Sequence, residues 1–372
     1  MHLKDQLAEE LLAKVMGWKN PSEFVEHGRP LMAMSAYKYD EYQQFSPGMR
    51  FIESLALWLG QFKTPAQRAV ALEFVRERLV FVSAAEMNHL VSISYPDHVR
   101  PFLLSKAAAE SGLSRWHTGK VTNSLEFRVR ERRCLFLGLS DGSHTDVFRR
   151  ANPHLQNEQV RQSHELTAER AKDLREELVK DLTKLLGRVP TDPEAVFRSV
   201  VLLDDFSASG MSYIRKKEGG SPAGKVGKFL ASLHDSSAPL AQLFTTKSLE
   251  VILVLYMATE TAESVLLQEL SELCQPHGHD PNLVIVQRFP ESQRVVRGTL
   301  PDFDALIDAH YDNENETTST SLGGTDLKYG FAGGALPLVL SHNTPNNSLG
   351  LLWAEGSKMR PLFPRITRHK DL

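Results

Sequence analysis

Residues 200–212 read VVLLDDFSASGMS. Val200 to Leu203 are four apolar residues in a row, the pattern of a strand buried in a parallel sheet. Two acids, Asp204 and Asp205, follow. A loop of small residues comes next: Ser207, Ala208, Ser209, Gly210 and Ser212, with Met211 between the last two. A helix is expected after the loop. Small residues let backbone N–H groups approach an oxyanion, and a helix N-terminus adds a favourable dipole. Carboxylates at a strand end accept hydrogen bonds from vicinal hydroxyls. The combination suits a sugar phosphate, with acids on the ribose diol and the loop on the 5′-phosphate. The plainer alternative is an acid-ended strand in an ordinary α/β sheet.

Outward from this stretch, strands and helices alternate. On the N-terminal side lies RCLFLGLSDGSHTDVFRR, residues 133–150. Cys134 to Leu139 reads as a strand, Ser140 to His144 as a polar turn, and Asp146 to Arg150 as the start of a helix or loop. Gln156 to Gly187 carries Val160, Leu166, Leu174, Leu178, Leu182 and Leu185 and reads as helical, with Pro190 beyond. On the C-terminal side, residues 216–229 form a glycine-rich excursion ending in a helix around Val226 to His234. Leu249 to Met257 is the most apolar strand, and Thr259 caps its crossover helix. Leu283 to Gln287 is another strand. This alternation predicts a parallel sheet. Asp312 to Gly324 reads as an exposed loop. Ala335 to Leu340 and Leu349 to Trp353 read as two short strands around SHNTPNNS.

Residues 1–125 read as helical. Leu3, Leu7, Leu11 and Val15 recur at helical spacing. Further helices carry Phe51, Leu55 and Leu59, then Val70, Phe74 and Leu79 after the Thr64-Pro65 cap, with two more over 84–91 and 102–112. The expected division is therefore a helical region, 1–125, and an α/β domain, 126–372.

The chain has 372 residues, 41% hydrophobic and 24% charged, which is a globular composition. A net charge of −3 gives no global pull toward nucleic acid. Cys134 and Cys274 are the only cysteines, too few for a four-thiolate zinc site or a disulfide framework. No apolar run approaches the roughly 20 residues that span a bilayer. The opening segment reads as an amphipathic acidic helix rather than a signal peptide. These features predict a cytoplasmic protein without membrane contact.

Ligands of a doubly wound sheet sit outside the carboxyl ends of its strands. A phosphate-rich ligand calls for Mg²⁺, with Asp204, Asp205 and Asp141 as direct or water-mediated contacts. Lys216, Lys217 and Lys225 flank an excursion that could close over the site, though surface lysines explain them more simply. HGHD, His277 to Asp280, reads as a loop rather than a metal site. RVRERR, Arg128 to Arg133, reads as a solvated face, with nucleic-acid contact as the alternative. His144 near Ser140 hints at acid–base chemistry without establishing it. No Gly-x-Ser-x-Gly elbow and no Gly-x-x-x-x-Gly-Lys loop occurs.

VVLLDDFSASGMS resembles the phosphoribosyl pyrophosphate (PRPP) motif of type I phosphoribosyltransferases. The resemblance implies ribose and phosphate binding by Ser207, Ala208, Ser209, Gly210, Met211 and Ser212, with Asp204 and Asp205 as catalytic and metal-contacting acids. It also implies a pyrophosphate side at Ser140, Asp141, Gly142 and Ser143, neutralised by Arg149 and Arg150. LFLGLSDGSHTDVFRRAN and the terminal HNTPNNSLGLLWAEG, with RPLFPR, narrow this further. With the motif they resemble phosphoribosyltransferase-like proteins of bacterial conflict systems, some in retron-type reverse transcriptase loci. The likeness covers residues from about 130 to the end. It implies an antiphage effector that binds PRPP or a related nucleotide. Glycosyl transfer or N-glycosidic hydrolysis is the expected chemistry, under the control of a reverse transcriptase–nucleic acid complex or another partner, with self-association allowed. The alternatives are a nucleotide-salvage transferase and a non-catalytic nucleotide sensor.

Overall fold

The structure, a computed structural model, describes residues 3–216, 220–245, 247–316, 321–324 and 326–366. Nine strands occur among these residues: β1 Val80–Val82, β2 Cys134–Gly138, β3 Val160–Arg161, β4 Ser199–Ser207, β5 Arg215–Lys216, β6 Pro222–Ala223, β7 Glu250–Thr259, β8 Asp280–Phe289 and β9 Leu338–Leu340. The chain folds as two compact units, 87–289 and 1–86 with 290–372. The boundaries do not follow the expected division at residue 125.

The first unit holds a five-stranded sheet in the order β3-β2-β4-β7-β8, parallel throughout. Taken in chain order this is the 2-1-3-4-5 pattern of a doubly wound sheet. The order reverses between β2 and β4, which makes a crevice at their carboxyl ends. Side chains alternate between the two faces. Leu135, Leu137, Val200, Leu202, Val251 and Leu253 share a core with Leu174, Leu178 and Leu182 of the helix Ala168–Leu186 and with Val226 and Phe229 of the helix Gly224–His234. On the alternate register, Phe136 packs against Phe148 and Tyr95.

Several local expectations change. Val160 belongs to β3, an edge strand, and the helix starts only at Ala168, capped by Thr167. A two-residue strand carries too little pattern to separate from a neighbouring helix. β4 runs on through both acids to Ser207, because β7 continues beside it as far as the Ser207–Ala258 pair. No helix follows the loop directly. The antiparallel pair β5–β6 intervenes, and the next helix begins at Gly224.

In the second unit, β1 pairs in parallel with β9, Phe81 opposite Val339. Phe363 packs among Tyr39, Tyr42, Phe45, Phe51 and Phe81, so the last segment closes over the N-terminal helices. Trp58 Nε1 donates to Leu351 O at 2.9 Å. The expected strand Leu349 to Trp353 is instead a helical turn, Gly350–Trp353. Asn347 ties the neighbouring turn to Phe331 by donating to its carbonyl at 2.8 Å. In the first helix, Leu3–Met16, the buried side chains are Ala8, Leu12 and Met16, while Leu7 and Leu11 are exposed. The buried stripe is thus displaced by one residue from the expected one.

Candidate functional site

The site forms where β2 and β4 end. After β2 the chain makes a single 3-10 turn, Asp141–Ser143, and enters the helix Thr145–Ala151. Ser140 Oγ donates to Asp204 Oδ1 at 2.5 Å, joining the two strand ends across the crevice. Tyr256, from β7, donates to Ser143 O at 2.6 Å and holds the turn from the next strand. A Cβ on Gly142 would collide with the Asp205 carboxylate, so glycine allows turn and acid to meet.

Neighbouring strand residues face opposite ways, and the two acids have different surroundings. Asp204 is fully buried, whereas Asp205 is half-buried. Lys225 Nζ pairs with the second oxygen of Asp204. Burial, and then the neighbouring Asp205 charge, raise the Asp204 pKa above the usual aspartate value; Lys225 and Ser140 pull it down. Asp205 Oδ1 accepts from Phe206 N at 2.8 Å.

Lys225 stands second in its helix. Gly224, at φ +86°, makes the approach, since a Cβ there would strike the Tyr213 carbonyl. The Lys225 ammonium also lies 4.9 Å from the centre of the Tyr213 ring, and the Tyr213 hydroxyl donates to Phe206 O at 2.9 Å. Burial, with the charges of Asp204 and Asp205, pushes the Tyr213 phenol well above its usual pKa. It stays a neutral donor.

The small-residue loop turns at Gly210, φ +77°, where Gly210 N donates to Ser207 Oγ at 3.1 Å. Thr259, at the end of β7, donates to Ala208 O and accepts from Ala262 N, the cap expected of it. The N–H groups of Ser209, Met211 and Ser212 make no hydrogen bond to another described residue. Three such donors on one turn can receive an anion.

The crevice therefore brings together Ser140, Asp141, Gly142 and Ser143 with Asp204 and Asp205, and the loop 207–212 leads out of it. It does not draw in Arg149 or Arg150. Both are exposed, and Arg150 pairs with Asp146 on its own helix at 2.6 Å. Lys216 pairs with Glu272 at 2.9 Å, away from the acids, and Lys217 lies outside the described residues. Of the three lysines offered by the sequence and more simply explained as surface residues, Lys225 is the one that reaches the acids. Its signal is a lysine in the first turn of the first helix after the motif.

Asp204 accepts from Ser140 at one oxygen and pairs with Lys225 at the other, and the lysine charge opposes a cation bound directly to that acid. Among the described residues no three acids, histidines or cysteines are grouped to hold a metal. Of HGHD, His277 closes a 3-10 turn and its ring stacks on His234 at 3.6 Å, while Asp280 opens β8 rather than lying in a loop.

A doubly wound parallel sheet, with an acid pair and a small-residue loop at its switch point, defines a phosphoribosyltransferase-like protein. The chain belongs to the PRTase-CE family, whose model matches residues 55–365. That match begins well before residue 130 and includes most of the N-terminal helices. No curated protein and no solved structure matches the chain. No helix among the described residues is long and apolar enough to cross a membrane.

Proposed function

We propose that the switch-point crevice binds PRPP or a related phosphoribosyl nucleotide. The observation that carries this reading is the bridge Ser140–Asp204–Lys225, which ties both strand ends and a helix start around one buried acid. In this reading Asp205, the more accessible acid, accepts the ribose hydroxyls. The free N–H groups of the 207–212 loop take the 5′-phosphate. The turn 140–143 faces the diphosphate. Lys225 supplies positive charge where a departing diphosphate gathers negative charge. Mg²⁺ bound to the ligand's phosphates would be contacted through water by Asp205 and Asp141.

The reaction in this reading is glycosyl transfer from the ribose anomeric carbon, or hydrolysis of an N-glycosidic bond there. The acid–lysine pair also supports a second reading. A crevice that neutralises its own buried acid can bind a nucleotide and signal without turning it over. Diphosphate release separates the two: turnover liberates it, and sensing does not.

We read this activity as part of antiphage defence, held in check by a reverse transcriptase–nucleic acid complex or another partner; the resemblance to conflict-system proteins supports that reading. Calorimetric titration of PRPP into the purified protein tests binding, with Asp205→Asn expected to weaken it at least tenfold. Loss of one charge-assisted hydrogen bond is worth roughly 1.5–3 kcal/mol. Phage challenge of cells carrying the native locus tests the role, with Asp204→Asn/Asp205→Asn expected to abolish resistance. Equal PRPP binding by wild type and Asp205→Asn would overturn the binding reading. Full resistance in the double variant would overturn the defence reading.

A further inference from the structure

The basic run Arg128 to Arg133 is not the solvated face its composition suggests. Arg130 is buried and forks onto Glu250, with Nη1 2.6 and 2.8 Å from the two carboxylate oxygens. Arg133 donates to the carbonyls of Val196 and Pro193. Neither is available to a nucleic-acid backbone. Arg128 and Arg132 stand four residues apart in the helix Leu125–Arg132 and so share one side of it. Both line a pocket of about 400 Å³ with His154, Gln156, Asp181 and Lys184.

This pocket lies at the opposite edge of the sheet from the crevice. Arg132 stands two residues before β2, Gln156 precedes β3, and Asp181 and Lys184 sit in the last turns of the helix before β4. Its charge is unbalanced toward cations. Asp181 is committed to Arg132 Nε at 2.9 Å and to Lys184 at 3.5 Å. Glu131, the other acid of the wall, accepts from the Tyr95 hydroxyl. The Arg132 side chain is 6% exposed, and its Nη1 and Nη2 have no hydrogen-bond partner among the described residues. The exposed Arg128 side chain makes no hydrogen bond or ion pair among them either.

A buried guanidinium with two unmet donors is costly unless an anion completes it. The fork matches two oxygens of one group, and the added charges of Arg128 and Lys184 favour a multiply charged tetrahedral anion over a carboxylate. We propose that this pocket is a second ligand site, separate from the crevice, for the phosphate end of a small molecule. Both Nη nitrogens are closed to bulk water, so the anion engages them after a rotamer change in the pocket wall. Among the described residues no serine, threonine or cysteine lines the pocket, and the proposed role is binding rather than chemistry.

Hydrogen exchange with inorganic phosphate, pyrophosphate and AMP as separate probes tests the proposal. Added ligand should slow exchange in segments 125–132 and 154–160, independently of any effect at 200–212. Arg128→Ala/Lys184→Ala changes only exposed rim residues, so its fold is expected to survive. It should weaken the protection at 125–132 at least tenfold in ligand concentration. Arg132→Gln should abolish that protection, provided circular dichroism shows it folded. Asp205→Asn should leave this site unaffected, so a failure of the crevice reading remains distinguishable. Absence of protection at 125–132 with all three millimolar probes, or unchanged protection in the rim variant, would overturn the proposal.

Discussion

Asp204 is a carboxylate without solvent contact, and its charge depends on Lys225. Removing the lysine as Lys225→Met leaves that charge unpaired. The expected loss of folding stability is about 1–3 kcal/mol, below the range for a fully buried pair because the lysine side chain is 31% exposed. Asp204→Asn/Lys225→Met should lose less than the sum of the single changes, since one defect relieves the other. Urea denaturation of the four proteins measures this coupling, and additive losses would show that the pair is independent. The acids and the loop were legible in one stretch of sequence. Lys225 was legible only as one of three lysines beside the excursion; its pairing with Asp204 was not, because it lies 21 residues away, beyond a strand pair that no local pattern announces.

At the scale of elements, the amino ends of β2, β4 and β7 are joined by one buried ionic cluster. Arg130 forks onto Glu250, Ser199 donates to the same carboxylate at 2.5 Å, and Glu110 pairs with the outer face of the arginine. Arg130→Met should cost about 3–5 kcal/mol, because it strands a buried carboxylate. Adding Glu250→Leu should recover most of that loss in a thermal or urea melt. The chain just before β8 carries a pH dependence. The ring of His279 is buried beside His234 and His277. Burial first, and then these two neighbours, lower its pKa from 6.5 to about 4. A lowered folded-state pKa contributes stability that is present above the unfolded value, near 6.5, and is lost as pH falls toward 4. The melting temperature should therefore fall between pH 7 and pH 4, by an amount equivalent to roughly 1–3 kcal/mol. His279→Phe should flatten that part of the profile, and an unchanged profile would remove His279 as its source.

At the scale of the whole molecule, the chain begins one unit, builds the parallel-sheet unit within residues 87–289, and returns to complete the first. Phe363 is fully buried among aromatic residues contributed from before residue 82, so the last segment is part of that unit's core. Phe363→Ala should destabilise it by about 3–5 kcal/mol. Hydrogen exchange should then quicken together at Phe51–Gly60 and at β1 and β9, although β9 lies 258 residues after β1 in sequence. Quickening confined to the last residues would show that the segment is an appendage.

The sequence by itself determined the parallel sheet, the acid pair and the small-residue loop. Those signals are local: four apolar residues in a row, two acids, then residues without bulk. Tertiary structure decided which of them act together. It set the strand order that opens a crevice between β2 and β4, and it brought Lys225 to Asp204 across a separate strand pair. It buried Arg130 and Arg132 in a run whose composition reads as surface. It also joined residues 290–372 to the first helices. Each of these depends on packing between segments far apart in sequence, where the free energy of burying apolar surface and pairing buried charge overrides local pattern.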